Sequence, residues 1–350
     1  MLSRLRLENF RNHQNFELSL SNMVVLVGPN GVGKSNILEA IVVLAFCRSF
    51  REETKQNLIN HQAQFARVTG DDLEVFMGKE PQFCMKTKAR GVATKVTDFV
   101  GMLPAVVFSP EMLDIITGSP AQRRRFLDIM LCQVDREYLE SLVNYNRIRK
   151  RRNSLLHRLR ESGGDPSELD YWDNELANHG SVIQAKRRDA VVFFNDLLST
   201  TYQQIADNQD SSLKLTYISN FSNLGESLRN HRSREIAAAT TLYGPHRDDL
   251  EFYLNNQNTA HFASRGEMKS SIMALKMAEL RYIENKRKDL PGIQITKPLL
   301  LLDDVFSEFD PLRRLHLSRL IHDYQTIVTT ADQNFVEPET MKHAQVVSIG

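Results

Sequence analysis

The pattern of apolar and polar positions up to about residue 110 predicts strands and one helix. Residues 4–7 alternate basic and apolar side chains, as in a half-buried strand. Met23–Val27 is continuously apolar, which is typical of a strand covered on both faces. A helical spacing follows over Lys34–Phe46. We expect one side of that helix to be apolar, formed by Ile37, Leu38, Ile41, Leu44 and Ala45.

Longer helical patterns begin at about Asp114. Ala121–Leu131 and Arg136–Leu159 are predicted helices, and the Gly/Pro-rich stretch Ser162–Pro166 interrupts them. Ser167 is the expected cap of the next helix. Two helices joined by a short turn form a hairpin. The first arm of this hairpin would be about 35 Å long, at 1.5 Å per residue.

Strands return near Leu213, with turns expected at Gly244-Pro245 and Asn255-Asn256. Helical and strand patterns then alternate to the last residue, without an internal repeat. Leu299–Leu302 is continuously apolar and is followed by Asp303-Asp304, so a buried strand ends in two carboxylates. Strand-rich patterns at both ends, with long helical patterns between them, predict an α/β protein.

Composition excludes several classes of protein. At 350 residues, the chain is long enough for about two or three domains. The balance of 44 basic and 43 acidic residues gives no global attraction to nucleic acid, so any basic surface must be local. Three widely spaced cysteines predict buried thiols in a reducing cytosol. No signal peptide or apolar run of membrane-spanning length is found, which argues against an intramembrane subunit but not against one docked to a membrane protein.

Gly28–Ser35 fits the phosphate-loop pattern G-x-x-x-x-G-K-[ST], between the predicted strand and helix. Glycines let backbone N–H groups converge on phosphates, and the helix N-terminus adds positive potential. Lys34 would reach the β and γ phosphates of ATP, and the Ser35 hydroxyl would ligate Mg²⁺. The dinucleotide pattern fits less well, because Asn36 stands where it needs glycine or alanine. The predicted nucleotide-binding residues here are Gly28, Asn30, Gly31, Gly33, Lys34, Ser35 and Asn36.

Asp303 and Asp304 are the expected partners of this loop. A carboxylate at the end of a buried parallel strand can hold Mg²⁺ through a water, and its neighbour can polarise the attacking water. We assign the metal to Asp303 with Ser35. Asp304 and Lys34 are the predicted catalytic residues. The alternative to a catalytic role is that the two aspartates are simply a charged, solvent-exposed end of the strand.

Ser264-Arg265-Gly266-Glu267 has capping-box spacing and opens a predicted helix. Alone, it indicates a well-capped amphipathic helix. Before an Asp-Asp strand, its serine hydroxyl, glycine N–H and helix N-terminus indicate a second anion site. Ser264, Gly266 and Glu267 would meet the γ-phosphate of ATP held by another chain, because within one chain such a motif cannot easily cap its own phosphate.

Residues 121–160 hold eleven Lys or Arg against four Asp or Glu, and the densest run is Arg147–Arg152. A charge run is usually a solvated face. The alternative is contact with the DNA backbone, which gives affinity without sequence reading. The charge alone leaves both alternatives open, and the candidates for DNA contact are Arg147, Arg149, Lys150, Arg151 and Arg152.

Together these motifs resemble the ABC-type ATPase heads of the SMC group, and more closely the RecF family of bacterial recombination mediators. The resemblance covers essentially the whole chain. Two positions depart from the family pattern: Arg265 replaces a glutamine and Phe309 replaces a leucine. The other segments that carry the resemblance are Leu7–His13, Phe108–Glu111, Gly118–Asp128, Tyr243–Leu250 and Leu301–Asp310.

The resemblance implies an α/β, ABC-type fold. Residues 1–112 and 292–350 would form the phosphate-loop lobe I. Residues 113–291 would form a mainly helical lobe II, with a short hairpin arm at about 135–206. It also implies that Arg11 and Asn12 lie beside the nucleotide, that Ser109–Glu111 senses the γ-phosphate, and that Asp310 contacts the opposite chain.

The function implied by the resemblance is recombinational DNA repair. A homodimer closed by ATP and Mg²⁺ would hold double-stranded DNA or single-strand/double-strand junctions, and weak DNA-dependent hydrolysis would release them. RecR and RecO would be partners, and the protein would lie in the cytoplasm with the nucleoid. A structural SMC protein would need a far longer coiled coil. A transport ATPase would have a switch histidine where Thr329 and Thr330 stand, and a DNA-cutting ATPase would need a second acidic metal centre after Asp332.

Overall fold

A computed structural model of the protein describes residues 1–52, 54–288 and 297–350. It divides into two compact units. The terminal unit contains Met1–Met112 and Met273–Gly350, and the inserted unit contains Leu113–Ile272. The sequence analysis placed the second boundary between lobe II and lobe I between residues 291 and 292, which lie outside the described residues. The two units instead divide inside the helix Arg265–Lys288.

Both units contain strands and helices. The strands are β1 (Arg4–Phe10), β2 (His13–Ser19), β3 (Met23–Val27), β4 (Phe65–Gly70), β5 (Leu73–Gly78), β6 (Cys84–Ala89), β7 (Val92–Thr94), β8 (Ala105–Phe108), β9 (Leu213–Ile218), β10 (Asp249–Leu254), β11 (Gln257–Asn258), β12 (Leu299–Asp303), β13 (Thr326–Thr330) and β14 (Gln345–Ser348). The α-helices are α1 (Lys34–Phe46), α2 (Val96–Phe99), α3 (Asp114–Thr117), α4 (Pro120–Cys132), α5 (Arg136–Ser162), α6 (Asp170–Ala206), α7 (Leu224–Asn230), α8 (Arg232–Ala238), α9 (Thr259–Phe262), α10 (Arg265–Lys288), α11 (Val305–Glu308), α12 (Pro311–Ile321) and α13 (Pro338–Lys342). Short 3-10 helices cover Lys55–Leu58, Pro110–Leu113, Pro166–Leu169 and Gln333–Phe335.

The terminal unit contains two sheets. The five-stranded sheet has the order β14-β3-β13-β12-β8, and its neighbouring strands are all parallel. Its central strands are buried along nearly their whole length, as expected for a parallel sheet covered on both faces. The six-stranded sheet, β2-β1-β4-β5-β6-β7, is antiparallel.

Helix α1 contacts strands of both sheets, including β4 and β5 of the antiparallel sheet and β12 and β13 of the parallel sheet. The prediction of one apolar side was wrong, because the helix is buried almost all round from Ile37 to Phe46. A helix between two sheets has no solvent face, and this explains its nearly continuous apolar run. Glu39, a charged residue of this helix, is fully buried.

The inserted unit contains the predicted hairpin arm, formed by α5 and α6. Ion pairs fix the antiparallel register of the two helices: Lys186 Nζ lies 2.8 Å from Asp135 Oδ2. The expected cap by Ser167 was wrong. Asp165 accepts the Ser167 N–H at 2.8 Å and caps the short 3-10 helix Pro166–Leu169, after which α6 begins. Leu156, Leu159 and Leu169 pack together near the turn.

A three-stranded antiparallel sheet, β11-β10-β9, completes the inserted unit. The predicted turn at Asn255 and Asn256 joins β10 to β11, and both residues have positive φ, of 51° and 64°. Asparagine tolerates this left-handed region better than most residues, so the turn forms as the sequence indicates. Within the described ranges, no helix is both long and apolar enough to cross a membrane.

Candidate functional site

The phosphate loop connects the end of β3 to the start of α1 in the terminal unit. Gly31 and Gly33 have φ angles of +87° and +109°, which strain most other residues. A Cβ at Gly33 would also lie 2.5 Å from Asn12 Nδ2, and one at Gly28 would lie 2.1 Å from the Ile349 carbonyl oxygen. The predicted glycines are therefore required by backbone conformation at Gly31 and by close approach at Gly28 and Gly33.

Lys34 folds back over this loop. Its Nζ donates to the carbonyl oxygens of Gly28 at 2.6 Å and Pro29 at 2.8 Å. Asn12 braces the same loop: its Nδ2 donates to the Val32 carbonyl at 2.9 Å. Asn12 Oδ1 accepts a bond from Asn36 Nδ2 at 2.8 Å. The loop therefore holds an ammonium group among its own carbonyls, beside the N-terminus of α1.

The carboxyl ends of four parallel strands meet at this edge of the sheet. Val27 pairs in register with Thr330, Thr329 with Asp303, and Leu302 with Phe108. Ser109 follows directly after β8 and is buried. Open α/β sheets bind ligands at the carboxyl ends of their strands. The phosphate loop, the two aspartates and the start of the 109–111 segment therefore share one edge.

Asp303 joins these strand ends. Its Oδ1 accepts the Ser35 hydroxyl at 2.6 Å and the Thr329 hydroxyl at 2.8 Å. The serine oxygen and the carboxylate predicted to hold Mg²⁺ are thus in direct contact. Two oxygens suit an ion that keeps several waters and binds phosphate oxygens. In the part of the chain that the structure describes, no cluster of three His, Cys, Asp or Glu side chains could hold a metal.

Asp304 sits in a strained conformation, with φ 51°. Its backbone N–H donates to the Thr329 backbone oxygen at 3.2 Å and to the Thr329 hydroxyl at 3.0 Å. Its Oδ1 is buried without a hydrogen-bond partner. Burial raises the pKa of Asp304 and the charge of Asp303 adds to this, while the Ser307 hydroxyl and Lys34 oppose it. An unsatisfied, partly desolvated carboxylate is suited to accept a proton from water.

Thr329 is a residue whose role the sequence reasoning missed. In the sequence, Thr329 served only to argue against a transport ATPase, which has a histidine at this place. Its hydroxyl donates to the Asp303 carboxylate and accepts from the Asp304 backbone N–H, so one buried side chain orients the first carboxylate and holds the backbone of the second residue. The available signal was its place at the end of an apolar strand, which a parallel pairing brings beside the strand of the aspartates.

Arg11 directs its guanidinium toward α1. Its Nε and Nη2 each lie 2.8 Å from a carboxylate oxygen of the buried Glu39, and its Nη1 donates to the Asn57 carbonyl at 2.9 Å. The hydrogen bonds with Glu39 raise the pKa of Arg11. This forked ion pair fixes the turn between β1 and β2 against α1. Nucleotide contact by Arg11 stays a prediction, whereas Asn12 does contact the phosphate loop.

The predicted capping box at Ser264 is present in the inserted unit. The Ser264 N–H donates to Glu267 Oε2 at 2.7 Å, and the Glu267 N–H donates to Ser264 Oγ at 3.3 Å. Ser264 and Arg265 are exposed. The Glu267 carboxylate therefore closes the cap. The exposed Ser264 side chain and the helix N-terminus are the groups that could meet an anion.

Asp310 begins the helix α12 in the terminal unit. Its Oδ1 accepts the Arg313 N–H at 3.1 Å, and its other oxygen pairs with the Arg313 guanidinium. Asp310 is exposed, with 44% of its side chain accessible. It is therefore an N-cap that also presents a carboxylate edge to solvent.

The basic run lies on α5 and has two distinct sides. Arg147, Lys150 and Arg151 are exposed, and Arg149 is half-buried. Arg152 is wrong as a DNA contact, because it is fully buried. Its Nε lies 2.7 Å from Asp173 Oδ1, its Nη1 donates to Thr241 Oγ1 at 2.9 Å, and its Nη2 pairs with Glu235. The helical phase explains this position, since Arg152 shares the buried stripe of Tyr145, Ile148, Leu156 and Leu159.

Two segments that carry the family resemblance, Gly118–Asp128 and Tyr243–Leu250, contact each other within the inserted unit. Arg123 forms a forked pair with Asp249, at 2.7 and 2.9 Å, and Arg124 donates to the Asp248 carbonyl at 2.7 Å. The buried Arg187 of the arm donates to Asp128 at 2.7 Å. These charged residues lock the arm base to α4 and β10, so their role here is structural.

A family model described as the RecF/RecN/SMC N terminal domain matches residues 1–348. The DNA replication and repair protein RecF of Bacillus thuringiensis (strain Al Hakam) is 33% identical over 372 residues, which cover 99% of this chain and 96% of that protein. A solved structure of the recombination mediator protein RecF with ATP, from the RecFOR pathway, superposes with a TM-score of 0.87 and 27% identity, and covers 96% of this chain and 93% of that chain.

A crystal structure of an SMC head bound to the C-winged helix domain of ScpA shares the fold, with a TM-score of 0.52 at 15% identity over 99% of this chain and 93% of that chain. These likenesses confirm the predicted α/β fold of an ABC-type ATPase head. The full-length match to curated relatives confirms the narrower resemblance. The chain belongs to the RecF family, within the RecF/RecN/SMC group.

Proposed function

We propose that this protein is an ATP-dependent DNA-binding protein of recombinational repair. The observation that carries the proposal is the contact of Ser35 with Asp303, at 2.6 Å, at the edge of the parallel sheet. It unites a phosphate loop and a metal-binding carboxylate from opposite ends of the chain. RecF relatives are DNA replication and repair proteins, and one solved RecF contains ATP. Such a protein acts with chromosomal DNA in the cytoplasm.

ATP would lie along the phosphate loop, with its β and γ phosphates bound to backbone N–H groups and Lys34. Ser35 and Asp303 would hold Mg²⁺, which neutralises charge on the phosphates. Asp304 accepts a proton from the attacking water through its unpartnered Oδ1. Hydrolysis is weak and depends on DNA, so ATP serves mainly as a switch between two states.

The switch is proposed to be a dimer. The phosphate loop belongs to the terminal unit, and Ser264 and Gly266 belong to the inserted unit. In a two-fold dimer each chain presents Ser264, Gly266 and the helix N-terminus to the γ-phosphate bound by the other. Asp310 contacts the opposite chain at the same interface. Each ATP then bonds both chains, so ATP raises dimer affinity by linkage.

The closed dimer would hold double-stranded DNA or a single-strand/double-strand junction. The arm contributes phosphate contacts through Arg147, Arg149, Lys150 and Arg151. RecR and RecO are the proposed partners in loading a recombinase at gaps and stalled forks. The solved relative is named as a mediator of the RecFOR pathway, which supports this assignment.

Lys34→Ala should reduce ATP affinity at least about 100-fold. The change removes the two charge-assisted hydrogen bonds proposed between Lys34 and the β and γ phosphates, of about 1.5–3 kcal/mol each. Calorimetric titration with ATP and Mg²⁺ measures the change. Lys86→Ala removes an exposed lysine from the same unit and serves as the control. If Lys34→Ala binds ATP as the parent does, Lys34 does not hold the phosphates.

Asp304→Asn should retain ATP binding and lower turnover about 100- to 1000-fold, because it removes the acceptor for the water proton. The ATP-bound dimer should therefore live longer. Phosphate release and dimer lifetime are the two measurements, with Asp323→Asn, an exposed isosteric change, as the control. Turnover at the parent rate would show that another group takes the proton.

Arg147→Glu, Lys150→Glu and Arg151→Glu together should weaken duplex binding for all sequences. The slope of log affinity against log salt should fall by about 0.9 for each DNA phosphate that the variant no longer neutralises. Fluorescence anisotropy with labelled duplex measures both quantities. Reversal of the exposed Lys86, Arg90 and Lys95 matches the change in net charge. Equal weakening in both triple variants would mean that the arm makes no specific contact with DNA.

Ser264→Arg should block the ATP-dependent dimer and its turnover while monomers still bind ATP, because the phosphate loop is untouched. Ser264→Asp keeps an N-cap residue but places negative charge at the anion site, so it should block the dimer equally. Ser154→Arg, an exposed arm position, is the control. Sedimentation with ATP and Mg²⁺ decides: a dimer as tight as the parent's places Ser264 outside the interface.

A further inference from the structure

Two aromatic side chains open the second helix of the arm. Tyr171 is 64% exposed, and its ring lies 5.1 Å from that of Trp172, centroid to centroid, at an interplanar angle of 78°. Trp172 is half-buried. The nearby apolar cluster of the arm is formed by Leu156, Leu159 and Leu169 and does not include Tyr171. The tyrosine ring therefore exposes apolar area that the packing of the arm does not require.

The basic run borders this aromatic pair. The guanidinium carbon of Arg151 lies 5.9 Å from the Trp172 ring centroid, within the range of a cation–π contact. Lys150 precedes Arg151, and Arg147 is one helical turn away on α5, and all three are exposed. The arm thus carries aromatic faces and exposed positive charges side by side.

The carboxylates closest along the chain to the aromatic pair are engaged by other arginines. Asp170 lies 2.7 Å from Arg232 Nη2, and the buried Asp173 pairs with Arg152 and Arg232. Glu175 lies one turn beyond Trp172 on α6 and is half-buried. The local balance of charge therefore favours an anionic ligand at the aromatic pair.

Paired and unpaired DNA present different groups to such a surface. A duplex offers phosphates, which suit the arginines, but its base faces are covered by stacking within the helix. Unpaired nucleotides offer phosphates and free base faces together. Base stacking on protein aromatics is tolerant of sequence, because every base has a π-face. An exposed tyrosine beside arginines matches unpaired nucleotides better than it matches a duplex.

We propose that Tyr171, Trp172 and Arg151 form a stacking surface for unpaired nucleotides of single-stranded DNA. The inference rests on the proposed function, since it deepens the DNA site of the arm and names its substrate class. A duplex would contact the exposed basic residues of α5, and a single-stranded tail would stack on Tyr171 and Trp172. One arm would thereby distinguish a junction from a blunt duplex.

Trp172 is the single tryptophan of the 350 residues, so its intrinsic fluorescence reports on this surface alone. The probes are a 20-nucleotide oligo-dT strand, a blunt duplex and the same duplex with a dT tail, each titrated with ATP and Mg²⁺ present. We expect the dT strand and the tailed duplex to quench Trp172 and the blunt duplex to leave it nearly unchanged.

Tyr171→Ala should lower affinity for the dT strand and the tailed duplex about tenfold, the effect of removing one stacked base, with blunt-duplex affinity within about twofold of the parent. Tyr171→Phe should restore the parent affinities, because it keeps the ring. Phe262→Ala removes a 69% exposed phenylalanine of the inserted unit outside the arm and is the control. Anisotropy of labelled DNA gives the affinities independently of the tryptophan signal.

The outcomes separate this inference from the proposed function. If the parent binds all three probes but Tyr171→Ala binds them equally well, without quenching of Trp172, the stacking surface is wrong and the duplex site remains. That result would also be expected if the aromatic pair bound another protein instead. Equal quenching by blunt and tailed duplex would overturn the preference for unpaired bases. If the parent binds no DNA at all, both proposals fail.

Discussion

The candidate site depends on the hydrogen bond between the Ser35 hydroxyl and the Asp303 carboxylate. This carboxylate accepts hydroxyl hydrogen bonds from Ser35, which is 268 positions away in the sequence, and from Thr329. These bonds form because the parallel sheet interleaves strands from both ends of the chain, with β3 between β14 and β13. Strands that run in one direction end at one edge, so phosphate loop and aspartates meet there. An insertion of 160 residues can therefore separate the motifs without separating the groups.

Asp304, at the same edge of the sheet, has a strained backbone conformation and an acceptor oxygen without a hydrogen bond. Its φ is positive and this oxygen is buried, while Thr329 holds its backbone N–H. Such features persist only where the surrounding structure over-determines them. Here the buried strands β12 and β13 supply that support. A buried sheet thus presents a carboxylate with one unpartnered oxygen, which is the arrangement that the proposed role of Asp304 requires.

The arm shows how one basic run divides between structure and surface. Arg152 lies on the buried stripe and is held by Asp173 and Glu235, whereas Arg147 and Arg151 face solvent. Removing one partner of a buried ion pair leaves an uncompensated charge, at a cost of about 3–5 kcal/mol. Charge alone therefore does not identify a binding residue. Helical phase separates the arginine that holds the arm together from those free to contact a ligand.

Much of the site could be predicted because its signals are local. The strand, glycine loop and helix around Gly28–Ser35 are adjacent in sequence, and the capping box at Ser264 spans four residues. Two features depend on which strands become neighbours: the burial of α1 on all sides and the role of Thr329. Local sequence patterns do not predict these neighbours. Arg152 lies between these cases: its position on the apolar stripe was visible, but its partners Asp173 and Glu235 were not.

The central claim is that one ATP is shared by the phosphate loop of one chain and the Ser264 motif of another. Mixing Lys34→Ala chains with Ser264→Arg chains tests it most directly, because a heterodimer contains one intact shared site and one defective site. With ATP and Mg²⁺, the account predicts that the mixture forms a dimer containing one ATP per two chains, while each variant alone stays monomeric. If the mixture also stays monomeric, or if either variant dimerises alone, ATP is not shared in this way.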